Sequence, residues 1–220
     1  MESAWHRKQM NLLCELFERV VPPETSYVAG NMGLYYSALQ VKRDDFKAPD
    51  VFVVLDVIEA DERRIWVVWE EDGRTPNLVV ELLSPSTERN DRGEKMRIYE
   101  KILKVPNYFL YDPIDFRFEG WHLVDGRYVP LKPDARGHLP WQEAKATLGR
   151  WTGSIQGQEH TWLRVFDAEG QPVPTAVEMA RTEAQRAEAE AQRAEAEAQR
   201  AEAEAQRAEA EAQRAEAEAQ

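Results

Sequence analysis

The sequence predicts an α/β fold, a mixed β-sheet flanked by helices, with a long C-terminal Ala/Glu/Arg helix beyond it. Three observations carry this. The apolar segments run in the order helix, three strands, helix, strand. The strand–helix–strand unit from 78 to 112 implies a parallel pair with a crossover, so the sheet is mixed. From Arg186 onward the chain is almost pure AEAEAQR repeat, which belongs to a different kind of object.

Trp5 to Val21 reads as the first helix, with Leu12, Leu13, Leu16, Phe17 and Val20 on one face and Pro22-Pro23 ending it. Tyr27 to Leu39, rich in Tyr and broken by Gly, reads as an irregular strand or hairpin. Three strands follow: Val51 to Ile58, Arg64 to Glu70, and Leu78 to Leu83 after the turn signal Glu71-Asp72-Gly73. A polar loop leads into a helix from about Asp91 to Lys104, with Asp91 and Glu94 at N-cap and N3 spacing and Pro106 beyond its end. Asn107 to Asp112 is a further strand, and Phe116 to Leu131 a hairpin turning at Asp125-Gly126. Residues 132–170, with Trp141, Trp151 and Trp162 among Gly and Pro, read as a loop-rich cap packed by indoles.

The 220 residues suit one domain, assigned to 1–170, and a helical tail, 171–220. From Ala187 to Gln220 there are ten Glu against four Arg, so the repeat carries half of the net charge of −12. Val177, Ala180, Ala184, Ala187, Ala191, Ala194 and Ala198 form a heptad seam, and each Arg has Glu at helix-pair spacing. Coiled coil or solvated single helix are both open on this pattern, since Glu flanks a seam made almost only of Ala. No apolar run reaches the ~20 residues a membrane span needs. No signal-peptide stretch opens the chain, and Cys14 is its one cysteine, which argues for a cytoplasmic protein without disulfides. The acidic balance disfavours a strong electrostatic hold on nucleic acid. A mildly basic cluster around the second helix (Arg89, Arg92, Lys95, Arg97, Lys101, Lys104) offsets it locally.

Three residues stand out as chemistry. Glu81 sits in Leu78-Val79-Val80-Glu81-Leu82-Leu83, where a lone carboxylate is costly unless protonated, paired or bound to a cation. Asp50 opens an earlier strand behind Pro49, and two carboxylates on neighbouring strands are one way Mg²⁺ is held. Asp56 shares its parity but lies roughly 20 Å along at ~3.3 Å per residue, so it cannot serve the same ion. Lys95 precedes Ile98, Tyr99 and Ile102 by three, four and seven residues, which turns it toward the sheet. Taken singly, each has a plainer reading: an outward or salt-bridged Glu, a turn-stabilising Asp, and a Lys snorkelling to the surface. His6, His122, His138 and His160 show no metal-ligand spacing and receive no role.

The segments Ala48-Pro49-Asp50-Val51, Val79-Val80-Glu81-Leu82-Leu83-Ser84-Pro85-Ser86, Asp91-Arg92-Gly93-Glu94-Lys95 with Tyr99, and Val105-Pro106-Asn107-Tyr108-Phe109 resemble the Uma-type (Uma-two) putative restriction endonuclease family of the PD-(D/E)XK nuclease superfamily. The resemblance covers about residues 10–170. It implies a restriction-endonuclease-like fold with an αβββαβ core, Asp50 and Glu81 as metal ligands, and Lys95 as the catalytic lysine. The superfamily's usual lysine lies two residues after the second acid, where this chain has Leu83, so the lysine would be relocated to the helix. Asp91, Tyr99 and Ser84 would support the site.

The implied activity is hydrolysis of nucleic-acid phosphodiester bonds, of DNA in the first instance, with Mg²⁺ or Mn²⁺ as cofactor. A homodimer is expected by analogy with nucleases that cut both strands. Two other readings stay open here: a catalytically idle relative that keeps the fold as a binding module, and an interaction protein working through its C-terminal helix.

Overall fold

The computed structural model describes residues 3–37, 46–57 and 63–218. The chain divides into two compact units, Met1–Val173 and Pro174–Gln220.

In the first unit, helix α1 (Ala4–Val20) opens on Ser3, whose hydroxyl accepts the His6 N–H at 3.1 Å, an N-cap. The central sheet has six strands: β1 (Ser26–Gly30), β4 (Val51–Leu55), β6 (Leu78–Leu82), β7 (Asn107–Tyr111), β8 (Phe118–Val124) and β9 (Arg127–Pro130), in that spatial order. Only β6 and β7 run parallel; the other neighbours are antiparallel. The sheet is therefore mixed. Between β6 and β7 the chain makes one helical stretch in three contiguous pieces: α2 (Glu88–Asn90), a π-helical turn (Asp91–Lys95) and α3 (Met96–Lys101).

Strand alternation gives the sheet two apolar faces. Val51, Val53, Val80, Leu82 and Phe109 pack with Leu12, Leu13, Leu16 and Phe17 of α1. On the opposite face Phe52, Val54, Val79, Tyr108 and Leu110 pack with Ile98, Tyr99 and Leu103. Helices thus cover both faces, and a central strand such as β6 is buried along its whole length.

Several expectations are corrected. Of Arg64 to Glu70 only β5 (Trp66–Val67) is strand. It pairs with β2 (Leu34–Tyr35), which also pairs with β3 (Phe46–Lys47), in a separate three-stranded sheet. Trp66 is fully buried and its indole N–H donates to Arg74 O, so the aromatic run folds back as a turn. The place of a third core strand is taken by β1, whose backbone pairs with β4 over its full length. Leu39 and Ile58, expected strand ends, lie outside the described residues.

Residues 132–170 form a third sheet, not a loop-rich cap: β10 (Leu139–Trp141), β11 (Ala146–Ile155) and β12 (Gln158–Phe166). The β11–β12 hairpin turns at Gln156 and Gly157, both with positive φ (49° and 74°), as tight two-residue hairpins require. The indoles of Trp141 and Trp162 are buried in the core shared with α1. Gln9 docks the helix on this sheet: its amide donates to Leu163 O at 2.9 Å and accepts Leu163 N–H at 2.8 Å, copying a strand partner. Gln9→Ala is expected to lower stability by about 1–3 kcal/mol, since it leaves two buried backbone groups unpaired; urea unfolding measures it.

The second unit contains α4 (Ala176–Glu218). Thr175 and Glu178 cap it reciprocally: the Glu178 N–H donates to Thr175 Oγ1 and the Thr175 N–H donates to the Glu178 carboxylate. Among the described side chains of the repeat, the i, i+4 contacts are Gln amides donating to Glu, as Gln192 to Glu188 and Gln199 to Glu195, rather than the expected Arg–Glu pairs. No helix among the described residues is long and apolar enough to cross a membrane.

Candidate active site

The site lies where β4 begins and β6 ends. These strands are antiparallel with Val51 opposite Val80, so Asp50 stands opposite Glu81 one position beyond the last pair. Both share the strand parity of Phe52 and Val79, and so face α3. The two residues are linked directly: the Asp50 N–H donates to Glu81 Oε2 at 3.3 Å, and the Leu82 N–H donates to Asp50 Oδ2 at 2.7 Å.

Glu81 has no solvent exposure. Lys95 Nζ donates to its Oε2 at 2.9 Å and the Tyr99 hydroxyl to its Oε1 at 2.9 Å. Lys95 also ion-pairs with Asp91 Oδ1 at 3.0 Å, one helical step back. Asp91, Lys95 and Tyr99 are spaced by four, and all three turn inward from the π-helical turn and α3. The expected N-cap role of Asp91 is therefore wrong. The helix already begins at Glu88, Asp91 has helical dihedrals, and its side chain is buried; Glu94 pairs instead with Lys47. The stripe also differs at Ile102, which is half exposed while Ile98, Tyr99 and Leu103 are buried.

His6 was missed. The Ser3 cap fixes the start of α1, and Trp5 stacks on Trp162 with ring centroids 6.0 Å apart. That anchoring brings His6 Nε2 to 2.7 Å from Asp50 Oδ1. The other three histidines lie elsewhere: His138 on Phe166, His122 on Asn107, His160 on Trp5. Asp56 sits at the far end of β4 with its side chain exposed, and Ser84 bonds to Ser86 and Thr87 in the loop after β6. Cys14 is set apart from this chemistry: burial, with Glu18 nearby, pushes its thiol up to about 12.

A cleft of about 660 Å³ opens over the site. Asp50, His6, Asp91 and Lys95 line one part of it and the hydroxyls of Ser84, Ser86 and Thr87 another. Glu81 lies beneath, behind Lys95.

The electrostatics follow from burial. Desolvation pushes the Glu81 carboxyl up to about 8; Lys95 opposes this, and Asp50 and Asp91 add to it. Burial alone would lower Lys95, but Glu81 and Asp91 outweigh it and hold the ammonium above its usual value. So the lysine keeps its charge, and Glu81 is the acid that yields. Its contribution to folding stability is intact below its ordinary value of 4.5 and is lost as pH rises toward about 8. The Tm of the cation-free protein should fall across that window, and millimolar Mg²⁺ should flatten the fall.

The donor set fits a hard divalent cation. Asp50 and Glu81 stand opposite each other on adjacent strands, linked through the Asp50 N–H, and the buried Asp91 carboxylate lies beside them, 3.0 Å from Lys95. Among the described residues no three His, Cys, Asp or Glu side chains form a ready-made metal cluster. A cation on Asp50 and Glu81 would thus rely on water and phosphate for its other ligands, the usual habit of Mg²⁺.

Residues 1–151 match the family model Uma2, whose description is "Putative restriction endonuclease". The chain belongs to this family. Uma2 membership supports a nuclease, a hydrolase acting on nucleic acid. A similar solved structure is that of "a putative nuclease belonging to DUF820" from Anabaena variabilis, at 17% identity, with 66% of this chain and 75% of that chain covered and a TM-score of 0.48. No curated protein sequence matches.

Proposed function

We propose that this chain is a Mg²⁺- or Mn²⁺-dependent endonuclease that hydrolyses phosphodiester bonds of DNA, with Asp50 and Glu81 as the metal ligands and Lys95 as the catalytic lysine. One observation supports this above the others. Acids from two strands and a helix-borne ammonium gather beside one cleft, in a chain of a nuclease family.

When bound, the cation would neutralise charge on the scissile phosphate and make a water acidic enough to attack at neutral pH. The chain's own groups do the rest. Leu82 N–H and His6 hold the two Asp50 oxygens, and Tyr99 holds Glu81 Oε1, so neither carboxylate must reorganise. Lys95 stays protonated and lines the cleft, where its N–H groups can orient the attacking water and offset charge on the phosphate. Arg89 and Arg97, exposed on the same helical stretch, supply local positive charge for a nucleic-acid backbone. The chemistry is assigned to 1–170; the repeat of 171–220 takes no part in it.

Nicking of supercoiled plasmid tests this reading. With Mg²⁺ or Mn²⁺ the wild type should cut. Asp50→Asn should lose at least about 10²-fold, more than is lost when a group merely supporting a metal ligand is removed. Equal activity in both proteins would point to a contaminating nuclease and overturn the assignment.

A further inference from the structure

Glu81 lies beneath the cleft, in contact with Lys95, which lines it. The carboxylate has no solvent exposure and does not line the cleft, whereas Lys95 and Asp91 do. The ammonium stands 2.9 Å from Glu81 Oε2 and 3.0 Å from Asp91 Oδ1, midway between two acids. It fills the space beside Glu81 that a cation needs. Asp91 Oδ1 is buried and already 3.0 Å from the ammonium, so it can hold Lys95 when the contact with Glu81 is given up. The carbonyl of Asp91 accepts the Tyr108 hydroxyl at 2.8 Å, which fixes this turn of the helix to β7.

From this geometry we infer that Asp91 is a positioning residue: it takes over the Lys95 ammonium when a divalent cation claims Glu81. Asp91 thereby keeps the lysine at the site instead of losing it to solvent. The cation and the ammonium compete for one oxygen, and Asp91 decides where the loser goes. The π-helical turn serves this exchange by setting Asp91 and Lys95 on the same inward line. The inference rests on the proposed role of Asp50 and Glu81.

Calorimetric titration of the full chain with Mn²⁺ alone separates the two ideas. Asp91→Asn should weaken Mn²⁺ binding on the order of tenfold in the wild-type background, because the displaced ammonium is left with a neutral acceptor in place of a carboxylate. In a Lys95→Met background the same change should have almost no effect, since nothing remains to be displaced. Equal weakening in both backgrounds would mean that Asp91 acts only as a distant charge, and would overturn the inference. Unchanged Mn²⁺ affinity in Glu81→Gln would instead overturn the metal site itself. Should Lys95→Met fail to fold, a crystal structure of the wild type with Mn²⁺ decides. Supporting geometry has Nζ on Asp91 and beyond salt-bridge reach of Glu81, roughly 4 Å. A cation on Asp50 and Glu81 with the Lys95–Glu81 contact intact contradicts the exchange.

Discussion

Glu81→Gln should abolish cation-dependent cleavage and at the same time make the cation-free protein more stable at about pH 8. The activity loss follows from removing one of two charged ligands and should reach at least about 10²-fold. The gain in stability follows from burial. Glu81 is fully enclosed and next to Asp50 and Asp91, so burial and these neighbours oppose its ionised form more than Lys95 favours it. A glutamine keeps the shape. Its oxygen can accept from Lys95 and Asp50 N–H, and its amino group can donate to the Tyr99 oxygen. Lys95 retains Asp91 as a partner. The Tm of the variant should therefore exceed the wild type at about pH 8, with the gap closing toward pH 4.5, where both side chains are neutral. A variant less stable than wild type at every pH would show that Glu81 is a structural ion-pair member and not an acid held ready for a cation.

Lys95→Met should give the largest loss of folding stability of any change at the site. The lysine is 15% exposed and answers two nearly inaccessible carboxylates, Glu81 and Asp91. Its removal strands both. Breaking a buried pair from one side typically costs about 3–5 kcal/mol, because the remaining charge is left without compensation. The cost should be greatest above about pH 8 and shrink as pH falls, where Glu81 takes up its proton. Adding Asp91→Asn should recover part of it by removing one stranded charge. Chemical denaturation across pH measures all three effects, and cleavage should be lost throughout.

How far the sequence showed this site depends on the kind of signal each residue gave. Glu81 is a charge in an apolar strand, Asp50 follows a proline at a strand start, and Lys95 shares a face with Ile98 and Tyr99. All three are local patterns, and the structure brings these residues together. His6 gave no such signal. Its contact with Asp50 spans 44 residues and depends on the Ser3 cap and on Trp5 packing against β12, tertiary facts invisible in spacing. Asp91 was misread because acid spacing resembles a cap, whereas the helix starts a turn earlier without a side-chain cap. An Asp four residues before Lys95, on the same helix face as Ile98 and Tyr99, would have been the better clue.

The fold was legible where hydrophobic periodicity was strong and local. Val51 to Val54, Leu78 to Leu82 and Asn107 to Tyr111 are buried throughout, as continuous apolar runs require. The aromatic segment Arg64 to Glu70 carries strand propensity but is pulled into a turn by burial of Trp66. The long hairpin of β11 and β12 was hidden because its outer halves alternate Gly, Thr, Ser and His, and its turn is Gln-Gly rather than Asn-Gly.

Paramagnetic Mn²⁺ gives the most direct measurement, since its resonance signal distinguishes free from bound ion without any substrate. Two carboxylates sharing one cation require that wild type bind a single strong equivalent, and that Asp50→Asn and Glu81→Gln each lose it. Binding of that equivalent by all three proteins alike would contradict the shared-cation site and, with it, the proposed mechanism.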